Sequence, residues 1–270
     1  MRRGAYLGPG LAIVGLLVLT ALLAPWLVPL DPHQVDLARQ LAPPSVTQRL
    51  GADENGRDVL ALLVHGARVA LLVSLPTTLL TAAIGIPIGA IAGYRGGWRD
   101  ELLSRTTDLM LAFPGMLLSI LLLFLTQKPG YGAVVLALVV NGWAGFARLT
   151  RGEVMRERAR PYVEAGRALG LSDARLLWRH VLPNCASALL AQASFAAGTA
   201  ILAEAGLSFL GLGPYGAPSW GALLDQGASY FLLAPHLAIL PGLAILATVL
   251  GFNLIGDGLR DHLDPHDGSR

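Results

Sequence analysis

Charged residues are scarce in this chain of 270 residues: Asp, Glu, Lys and Arg make up 14% of it, and the mean hydropathy is +0.57. A soluble domain carries about 25% charged residues, so this composition excludes an ordinary soluble protein and indicates a bilayer protein. Cys185 is the only cysteine, which excludes an internal disulfide and any cysteine-based metal site. The net charge of +2 comes without a basic run interleaved with aromatics, so we expect no nucleic-acid partner.

Motifs of several enzyme classes are absent as well. Lys128 is the only lysine and follows LLFLTQ, so the chain has no G-x-x-x-x-G-K-[ST] phosphate loop and cannot hydrolyse ATP unaided. Neither G-x-S-x-G nor H-E-x-x-H occurs, which leaves an intramembrane hydrolase without an obvious nucleophile or metal pair. His262 and His266 stand four residues apart, but Pro265 interrupts a helix there, so we predict no metal site.

Long apolar runs are what the sequence has instead. Crossing the hydrocarbon takes about 20 residues as a helix. The runs without Asp, Glu, Lys or Arg are 4–30, 69–94, 109–127, 129–147, 181–203 and 226–256. We therefore predict an all-α polytopic membrane protein with six transmembrane helices. The first run is too long for the apolar part of a signal peptide and no small-x-small cleavage site follows it, so we expect a retained helix.

Basic residues set the predicted orientation, because those in short loops stay on the cytoplasmic side. With both termini in the cytoplasm, the inner segments, which include Arg2 and Arg3, hold fifteen of the 20 basic residues. The outer five are Arg39, Arg49, Arg57, Arg68 and Lys128. This bias predicts two cytoplasmic termini.

Two connecting segments are long. Residues 31–67 form the one sizeable extracytoplasmic segment, a loop in which 57–66 is expected as a short helix lying on the membrane. We divide the chain accordingly into 1–67, the first transmembrane helix with this segment, and 68–270, a five-helix core. Residues 207–235 are rich in Gly and Pro yet apolar, which indicates a segment that dips into the bilayer edge or lines a vestibule.

The second apolar run contains IGIPIGAIAG, and the glycines and proline of this stretch have two interpretations. Its glycines, spaced four apart, let another helix approach closely, or Pro87 merely kinks a helix that faces lipid. The sequence favours neither.

The most polar long stretch is EAGRALGLSDARLLWRHVLPN, residues 164–184, on the cytoplasmic side. We predict two short helices joined at a corner. Pro161 suits the opening turn of a helix over 161–169, and Gly170 suits the left-handed position that ends it. Ser172 can cap the second helix, with Asp173 in its first turn, and Pro183 is expected to stop that helix before the fifth span.

The second helix is predicted to be amphipathic. Its apolar face is expected to hold Leu171, Ala174, Trp178, Val181 and Leu182, while Arg175 and Arg179 share another face. A helix lying on the inner leaflet has this pattern too, but lipid binding does not require a corner between two capped helices.

Two polar residues inside the spans are candidate pathway residues. Glu204 lies toward the outer end of the fifth span, where it either lines a pathway or reaches the outer interface; we favour the interface. Asn141, in VVNGWAG, either lines the pathway or makes an interhelical hydrogen bond.

The polar stretch is similar to the EAA loop of permease subunits of binding-protein-dependent ABC importers. That pattern is Glu-Ala-Ala, three residues, Gly, nine residues, Ile, one residue, Leu-Pro. The matching residues here are Glu164, Ala165, Gly170, Leu182 and Pro183. Gly166 stands at the third Ala position and His180 at the Ile position. The resemblance implies that the corner docks on an ATPase subunit, and the residues we expect there also include Leu171, Asp173 and Arg175.

Other stretches resemble the branch that imports dipeptides, oligopeptides and nickel. They are LGADENGRDVLALLVHGARVAL (50–71), GYRGGWRDELLSRTTDLMLAFP (93–114), LSFLGLG (207–213), PSWG (218–221) and FNLIGDGLRDHLDP (252–265). The resemblance covers nearly the whole chain in order. It implies a permease subunit in a bacterial inner membrane, paired with a second homologous permease as a heterodimer, two ATP-binding subunits that hold ATP and Mg, and an extracytoplasmic solute-binding protein.

Peptide is the expected substrate, since the spans offer only Glu204 and Asn141 as polar candidates and a metal ion prefers oxygen or nitrogen ligands. A nickel or nickel-chelate importer is the alternative. Two other classes stay open: an intramembrane enzyme that uses Glu204 or Asn141, and a passive channel or membrane anchor. Neither of these two classes needs the corner.

Overall fold

The computed structural model describes residues 6–28, 31–46 and 48–263, and within these ranges it is almost wholly helical, as predicted. The helices are α1 (Leu7–Leu27), α2 (Val59–Arg95), α3 (Gly97–Ala112), α4 (Gly115–Phe124), α5 (Tyr131–Arg158), α6 (Pro161–Ala168), α7 (Asp173–Leu176), α8 (Leu182–Asn184), α9 (Ala186–Phe209), α10 (Trp220–Ser229) and α11 (His236–Leu263). Arg2, Arg3, Pro265 and His266, on which predictions above depend, lie outside the described residues.

Five of these helices have the length and apolar composition of a membrane span: α1, α2, α5, α9 and α11. A sixth span exists if α3 and α4 count as one, but these two helices meet at an angle of 76°. The predicted span over 109–127 is therefore not one straight helix but part of a bent pair, and the predicted total of six spans holds when that pair counts as one. Pro114 has no N–H to continue the helix and disfavours helical geometry at Phe113, whose ψ is 133°, so the chain bends there.

α2 is longer than the apolar run from which it was predicted. It begins at Val59, where the Asp58 side chain caps it by accepting a hydrogen bond from the Ala61 N–H (3.0 Å). The prediction of a separate surface helix over 57–66 is wrong, because that stretch simply starts the span. The boundary drawn between residues 67 and 68 lies inside α2, and the division into two parts stays a prediction.

The glycines of α2 bring it against α5. Gly85, Gly89 and Gly93 all face α5, and a Cβ atom added at any of them would lie closer than 3.0 Å to a backbone carbonyl oxygen. The facing carbonyls are those of Trp143, Ala147 and Arg151. Of the two readings of IGIPIGAIAG, close approach of a neighbouring helix is confirmed.

α9 and α11 complete the bundle around this pair. α9 packs against α2 and α11, and α1 lies on α11 and α2. We call the end of the bundle where α2 and α5 finish and α6 to α8 lie the corner end, and the opposite end the far end. At the far end the short helix α10 packs on α9 and α11, and the Trp220 Nε1–H donates to the Leu63 carbonyl at 2.8 Å.

The segment before α2 folds around one buried carboxylate at the far end. Asp53 is fully buried and accepts hydrogen bonds from the backbone N–H groups of Asn55 and Arg57, both at 2.8 Å. The Arg57 Nε–H also donates to Asp53 at 2.7 Å. A buried charge needs such compensation, so this turn is a fixed structure and not a solvated loop.

We expect Gly89→Leu to destabilise the protein, because the added side chain would force the α2 and α5 backbones apart. Overpacking costs about 1–3 kcal/mol, and each kcal/mol lowers the melting temperature by about 2–4 °C in a chain of this size. Thermal unfolding of the purified chain in detergent measures the effect.

Gly152→Leu is the matched control for Gly89→Leu. Gly152 lies in α5, is exposed, and an added Cβ there has no described atom within 4 Å. It should melt at the unmodified temperature or slightly above. Equal melting of the two variants would contradict the close contact of α2 and α5.

Candidate functional site

The corner, residues 161–176, has the geometry that its sequence predicts. α6 begins at Pro161, and Gly170 has a φ of +81° in the left-handed region. The Leu171 N–H donates to the Gly166 carbonyl at 3.0 Å, which closes the end of α6 in the manner of a Schellman motif. The Ser172 side chain caps α7 by accepting from the Arg175 N–H at 3.4 Å. The chain therefore turns sharply between two capped helices.

Gly166 sits on the inside of the corner. It is buried, and an added Cβ would lie 2.6 Å from Cδ2 of Leu176 and 3.4 Å from Cδ1 of Leu171. Glycine in place of the alanine of the EAA pattern gives Leu176 room to pack between the two short helices. Gly166 thus shapes the corner from within and does not lie on its outer surface.

The apolar face of the second helix agrees with the prediction only in part. Val181 is buried and Leu171 and Leu182 are half-buried, as expected. Ala174 is exposed and Trp178 keeps 47% of its surface exposed, while Leu176 and Leu177 are buried in their place. The backbone over 177–181 forms a π-helical turn, which adds a residue to the turn and shifts the phase of the buried face. The 3.6-residue period used for the prediction does not hold across such a turn.

Pro183 does not end the helical run, which corrects a second prediction. The π-turn leads directly into α8, where Pro183 occupies one of the first two positions, and α9 follows at Ala186. Pro183 lacks an N–H, and a wider turn before it accommodates that loss. The corner is consequently joined to α9 by a nearly continuous helix.

Buried side chains hold the corner against the ends of the long helices. Val163 of α6 and Leu176, Val181 and Cys185 pack in one cluster with residues of α2 and α5. The residues contributed by α2 and α5 are Ala90, Tyr94 and Val154. Movement of the corner relative to the spans would break this packing.

A polar network adds to that packing. The Tyr94 hydroxyl at the end of α2 donates to Asp173 Oδ1 at 3.0 Å, and Arg167 of α6 lies 3.6 Å from the same oxygen. The Arg167 guanidinium also stacks over the Tyr94 ring, 5.6 Å from its centroid. Arg158 at the end of α5 donates to the Tyr94 carbonyl at 2.7 Å. One tyrosine therefore joins α2, α5, α6 and α7.

The outer surface of the corner mixes apolar and charged groups. Leu169 at the tip is 83% exposed. Leu169 was not among the predicted coupling residues. Of those residues, Leu171 and Leu182 are half-buried, and the exposed ones are Glu164, Ala165, Gly170, Asp173, Arg175 and Pro183. The tip therefore presents an exposed leucine beside acidic and arginine side chains.

The two predicted pathway residues lie apart from the corner. With its amide oriented to satisfy both neighbours, Asn141 donates to the Met110 carbonyl at 3.1 Å and accepts from the Gly115 N–H at 3.2 Å. It thereby bridges the break between α3 and α4, where the helical hydrogen bonds are interrupted. The interhelical hydrogen bond, one of its two readings, is present.

Glu204 is inside the bundle and 1% exposed, so its reading as a carboxylate that reaches the outer interface is wrong. The Ser208 hydroxyl, one helical turn further along α9, donates to its Oε1 at 2.6 Å. The sequence around Glu204 does not indicate whether its side chain faces the bundle interior or the surface, because small and apolar residues occur on all faces of α9. A role for Glu204 in a pathway stays a prediction.

The family of binding-protein-dependent transport system inner membrane components matches residues 85–266, from the glycine stretch of α2 past the end of α11. The chain belongs to this family. Residues 9–44 match the N-terminal transmembrane domain of oligopeptide transport permease C. The corner and both candidate pathway residues of this permease lie within the first of the two matches.

Curated relatives of the permease match it over almost their whole length. It is 39% identical to the glutathione transport system permease protein GsiD of Pectobacterium atrosepticum, over 98% of this chain and 88% of that one. It is 41% identical to the di/tripeptide transport system permease protein DppC of Pseudomonas aeruginosa, over 95% and 86%. The dipeptide transport system permease protein DppC of Alkalihalophilus pseudofirmus is 39% identical, over 94% and 86%.

A solved structure shows the same fold. An inward-facing form of the MetNI methionine ABC transporter contains a chain that superposes with a TM-score of 0.64, covering 76% of the permease and 97% of that chain at 18% identity. At this identity the likeness concerns the fold alone. The helical fold of the permease is thus shared with a chain of that ABC transporter.

Sequence reasoning missed three residues of the permease that hold the corner: Tyr94, Arg158 and Arg167. Each lies at or near the end of a helix, and none was predicted as a site residue, although Tyr94 and Arg167 lie within sequence stretches quoted above. The pairing of Tyr94 with Asp173 spans 79 residues of sequence. Its one signal was a tyrosine at the polar end of an otherwise apolar run, which is also common at membrane interfaces.

We expect Tyr94→Phe to loosen the corner of the permease, because it removes the hydrogen bond to Asp173 and leaves the ring in place. In this partly exposed setting the loss is about 1 kcal/mol, which corresponds to about fivefold faster amide hydrogen exchange over 161–176. Mass spectrometry measures the exchange. Tyr215→Phe, at an exposed tyrosine of the far end, is the control and should leave the corner unchanged. Equal exchange in both variants would show that the network does not hold the corner.

Proposed function

We propose that the chain is the transmembrane permease subunit of an ATP-driven importer of dipeptides or oligopeptides, which forms half of the translocation pathway and couples to ATPase subunits through the corner. The observation that carries the proposal is the exposed tip at residues 164–175, fixed to the ends of α2, α5 and α9. In this proposal the chain spans the bacterial inner membrane, with both termini and the corner in the cytoplasm.

The corner suits mechanical coupling because it is exposed outside and fixed inside. Its tip presents Leu169, Glu164 and Arg175 to a partner, while Leu176 and Val163 are buried beneath them. A force applied at the tip reaches α9 through the helical run at 177–184, and reaches α2 through Tyr94. Energetic coupling between distant sites requires such connected, rigid elements.

The proposal assigns ATP and Mg to two partner ATPase subunits, because this chain has no phosphate loop in its sequence. A second homologous permease completes the pathway as a heterodimer, and an extracytoplasmic binding protein delivers the solute at the far end. The family name itself supports a binding-protein partner. The chain alone is a transport subunit and not an enzyme.

The relatives favour peptide over nickel. Their names refer to glutathione, di/tripeptide and dipeptide transport, and all three of these solutes are peptides or peptide-like. A nickel or nickel-chelate importer is the second candidate because the sequence resemblance extends to that branch.

We expect Gly170→Val and Glu164→Lys to reduce peptide uptake and transport-linked ATP hydrolysis together, while the spans still insert. Valine at a φ of +81° costs about 1 kcal/mol or more, which distorts the tip. Lysine at 164 reverses a charge on the docking surface. A loss of about fivefold to tenfold is expected in proteoliposomes that contain the whole complex.

Gly132→Val serves as the control for the glycine variant. Gly132 lies at the start of α5 at the far end, and an added Cβ there has no described atom within 4 Å. This variant should transport normally. Normal uptake by both corner variants would contradict a coupling role, and robust ATP hydrolysis by the purified chain alone would contradict the importer itself.

Substrate competition separates the two candidate solutes. The assembled complex, with its binding protein, should take up a labelled dipeptide, and excess unlabelled dipeptide should abolish the signal. Radioactive nickel at nanomolar concentration should not accumulate. Nickel uptake that persists in excess peptide and disappears in a deletion strain would reverse the assignment.

A further inference from the structure

Two grooves run along α9, one on each side, and they differ in chemistry. On the side of α2 and α5 lies a groove of about 210 Å³, which we call the polar groove. Its polar lining residues are Thr77, Thr78, Thr81, Gln192 and Thr199. On the side of α10 and α11 lies a groove of about 420 Å³, the apolar groove. It is lined by Leu202, Phe209, Leu224, Ile245, Leu246 and Val249, among others.

The polar groove holds polar groups whose hydrogen bonds are not satisfied. Thr77 and Thr78 are 5% and 7% exposed, and their hydroxyls bond to no described residue. Thr81, by contrast, donates to the carbonyls of both. A buried hydroxyl without a partner costs about 1–3 kcal/mol, so such a pair is expected only where something else supplies the bonds.

Gln192 extends this set on the facing helix. Its amide nitrogen lies 3.8 Å from the position of a Cβ at Gly145, so the side chain lies along the surface of α5. Among the described residues it has no hydrogen-bond partner. Gln192 of α9 and Thr77 and Thr78 of α2 therefore line the same groove, and none of the three side chains has a hydrogen-bond partner among the described residues; the two threonine hydroxyls are buried in its wall.

The polar groove continues toward the corner end. Gln192 and Phe195 also line a second recess, of about 400 Å³, between the ends of α5, α9 and α11. Its charged lining residues are Glu153, Arg156, Glu157, Arg160 and Arg260. Two ion pairs form there, Arg156 with Glu153 at 2.6 Å and Arg160 with Glu157 at 3.4 Å. This second recess, which we call the charged recess, and the polar groove are therefore neighbours that share Gln192 and Phe195 as lining residues.

A tyrosine, Tyr162, also lines the charged recess. The phenol of Tyr162 is protonated at neutral pH, as for any tyrosine, and burial raises its pKa further; it donates to Glu157 Oε1 at 3.2 Å. The Asn184 amide in turn donates to the Tyr162 oxygen at 3.1 Å. The charged recess therefore offers hydrogen-bond donors and acceptors together with positively and negatively charged side chains.

We infer that the polar groove and the charged recess contact the transported solute, with Gln192 at their junction. The inference rests on the proposed function and names the part of this chain that the solute follows. The neutral hydroxyls and the amide of the polar groove can form hydrogen bonds with the N–H and C=O groups of a peptide backbone. The charged side chains of the charged recess can pair with the charged ends of a peptide. A lipid chain or an apolar helix would occupy a surface like the apolar groove.

The single cysteine makes the inference directly testable. In the Cys185→Ala background, Gln192→Cys and Thr199→Cys each place one thiol in the polar groove. Leu190→Cys places one on an exposed part of α9 that lines neither groove, and serves as the matched control. The whole complex in lipid nanodiscs is treated with a hydrophilic thiosulfonate during turnover with ATP and the binding protein, with or without the dipeptide Ala-Ala.

The groove thiols should react at least about tenfold faster than the Leu190→Cys thiol, because we expect water to reach the groove, whereas an exposed leucine on a span is expected to face lipid. Ala-Ala should slow the groove reaction at least about threefold and leave the control unchanged. Slow reaction at both groove positions, or rates that Ala-Ala does not alter, would overturn the inference. Two groove positions are used so that a folding defect in one variant does not decide the result.

Uptake of labelled Ala-Ala by the unmodified complex in proteoliposomes tests the proposed function separately. Uptake without protection of the groove thiols would overturn the groove and leave the proposed function intact. Absence of uptake would overturn the proposed function and, with it, the peptide assignment of the groove, even if the thiols react quickly.

Discussion

The contact between α2 and α5 is the constraint on which the rest of the structure depends. Gly85, Gly89 and Gly93 place one helix surface directly on backbone carbonyls of the other. Within a bilayer no hydrophobic effect drives helices together, so packing of this closeness supplies the association. It also fixes the position of each helix along the axis of the other. The positions of Tyr94 and Arg158, at the ends of α2 and α5, are set by this alignment.

The corner inherits its position from this pair. α6 leaves the end of α5 after a short turn, Gly170 reverses the chain, and the π-turn at 177–181 returns it to α9. Packing under the corner and the polar network around Tyr94 act at different places on the same small element. An element held at several points moves as one body with the helices to which it is attached, which is the property that mechanical coupling requires.

α9 links the corner to the interior of the membrane. Its first turns follow the corner and carry Gln192, which lines the polar groove together with the unpaired threonines of α2, and its last turns hold the buried Glu204. A shift of α9 relative to α2 and α5 would alter the polar groove directly. The break between α3 and α4 is bridged by Asn141 of α5.

Local chemistry is what the sequence determined. Apolar runs of span length predicted the membrane helices, because burial in hydrocarbon depends on composition more than on neighbours. Pro161, Gly170 and Ser172 predicted the corner, because helix starts, left-handed ends and side-chain caps are set within a few residues. The EAA-like pattern within the corner predicted the family, to which the chain belongs.

Tertiary structure alone decided which faces are buried and which polar groups meet. Leu176 replaced Trp178 in the buried face because a π-turn changed the helical phase, and Glu204 lies inside the bundle because of what surrounds α9. The pairing of Tyr94 with Asp173, and the presence of Thr78 and Gln192 in the lining of one groove, bring together residues far apart in sequence. No periodicity records such pairings, since they arise only when separate helices pack at a particular height and rotation.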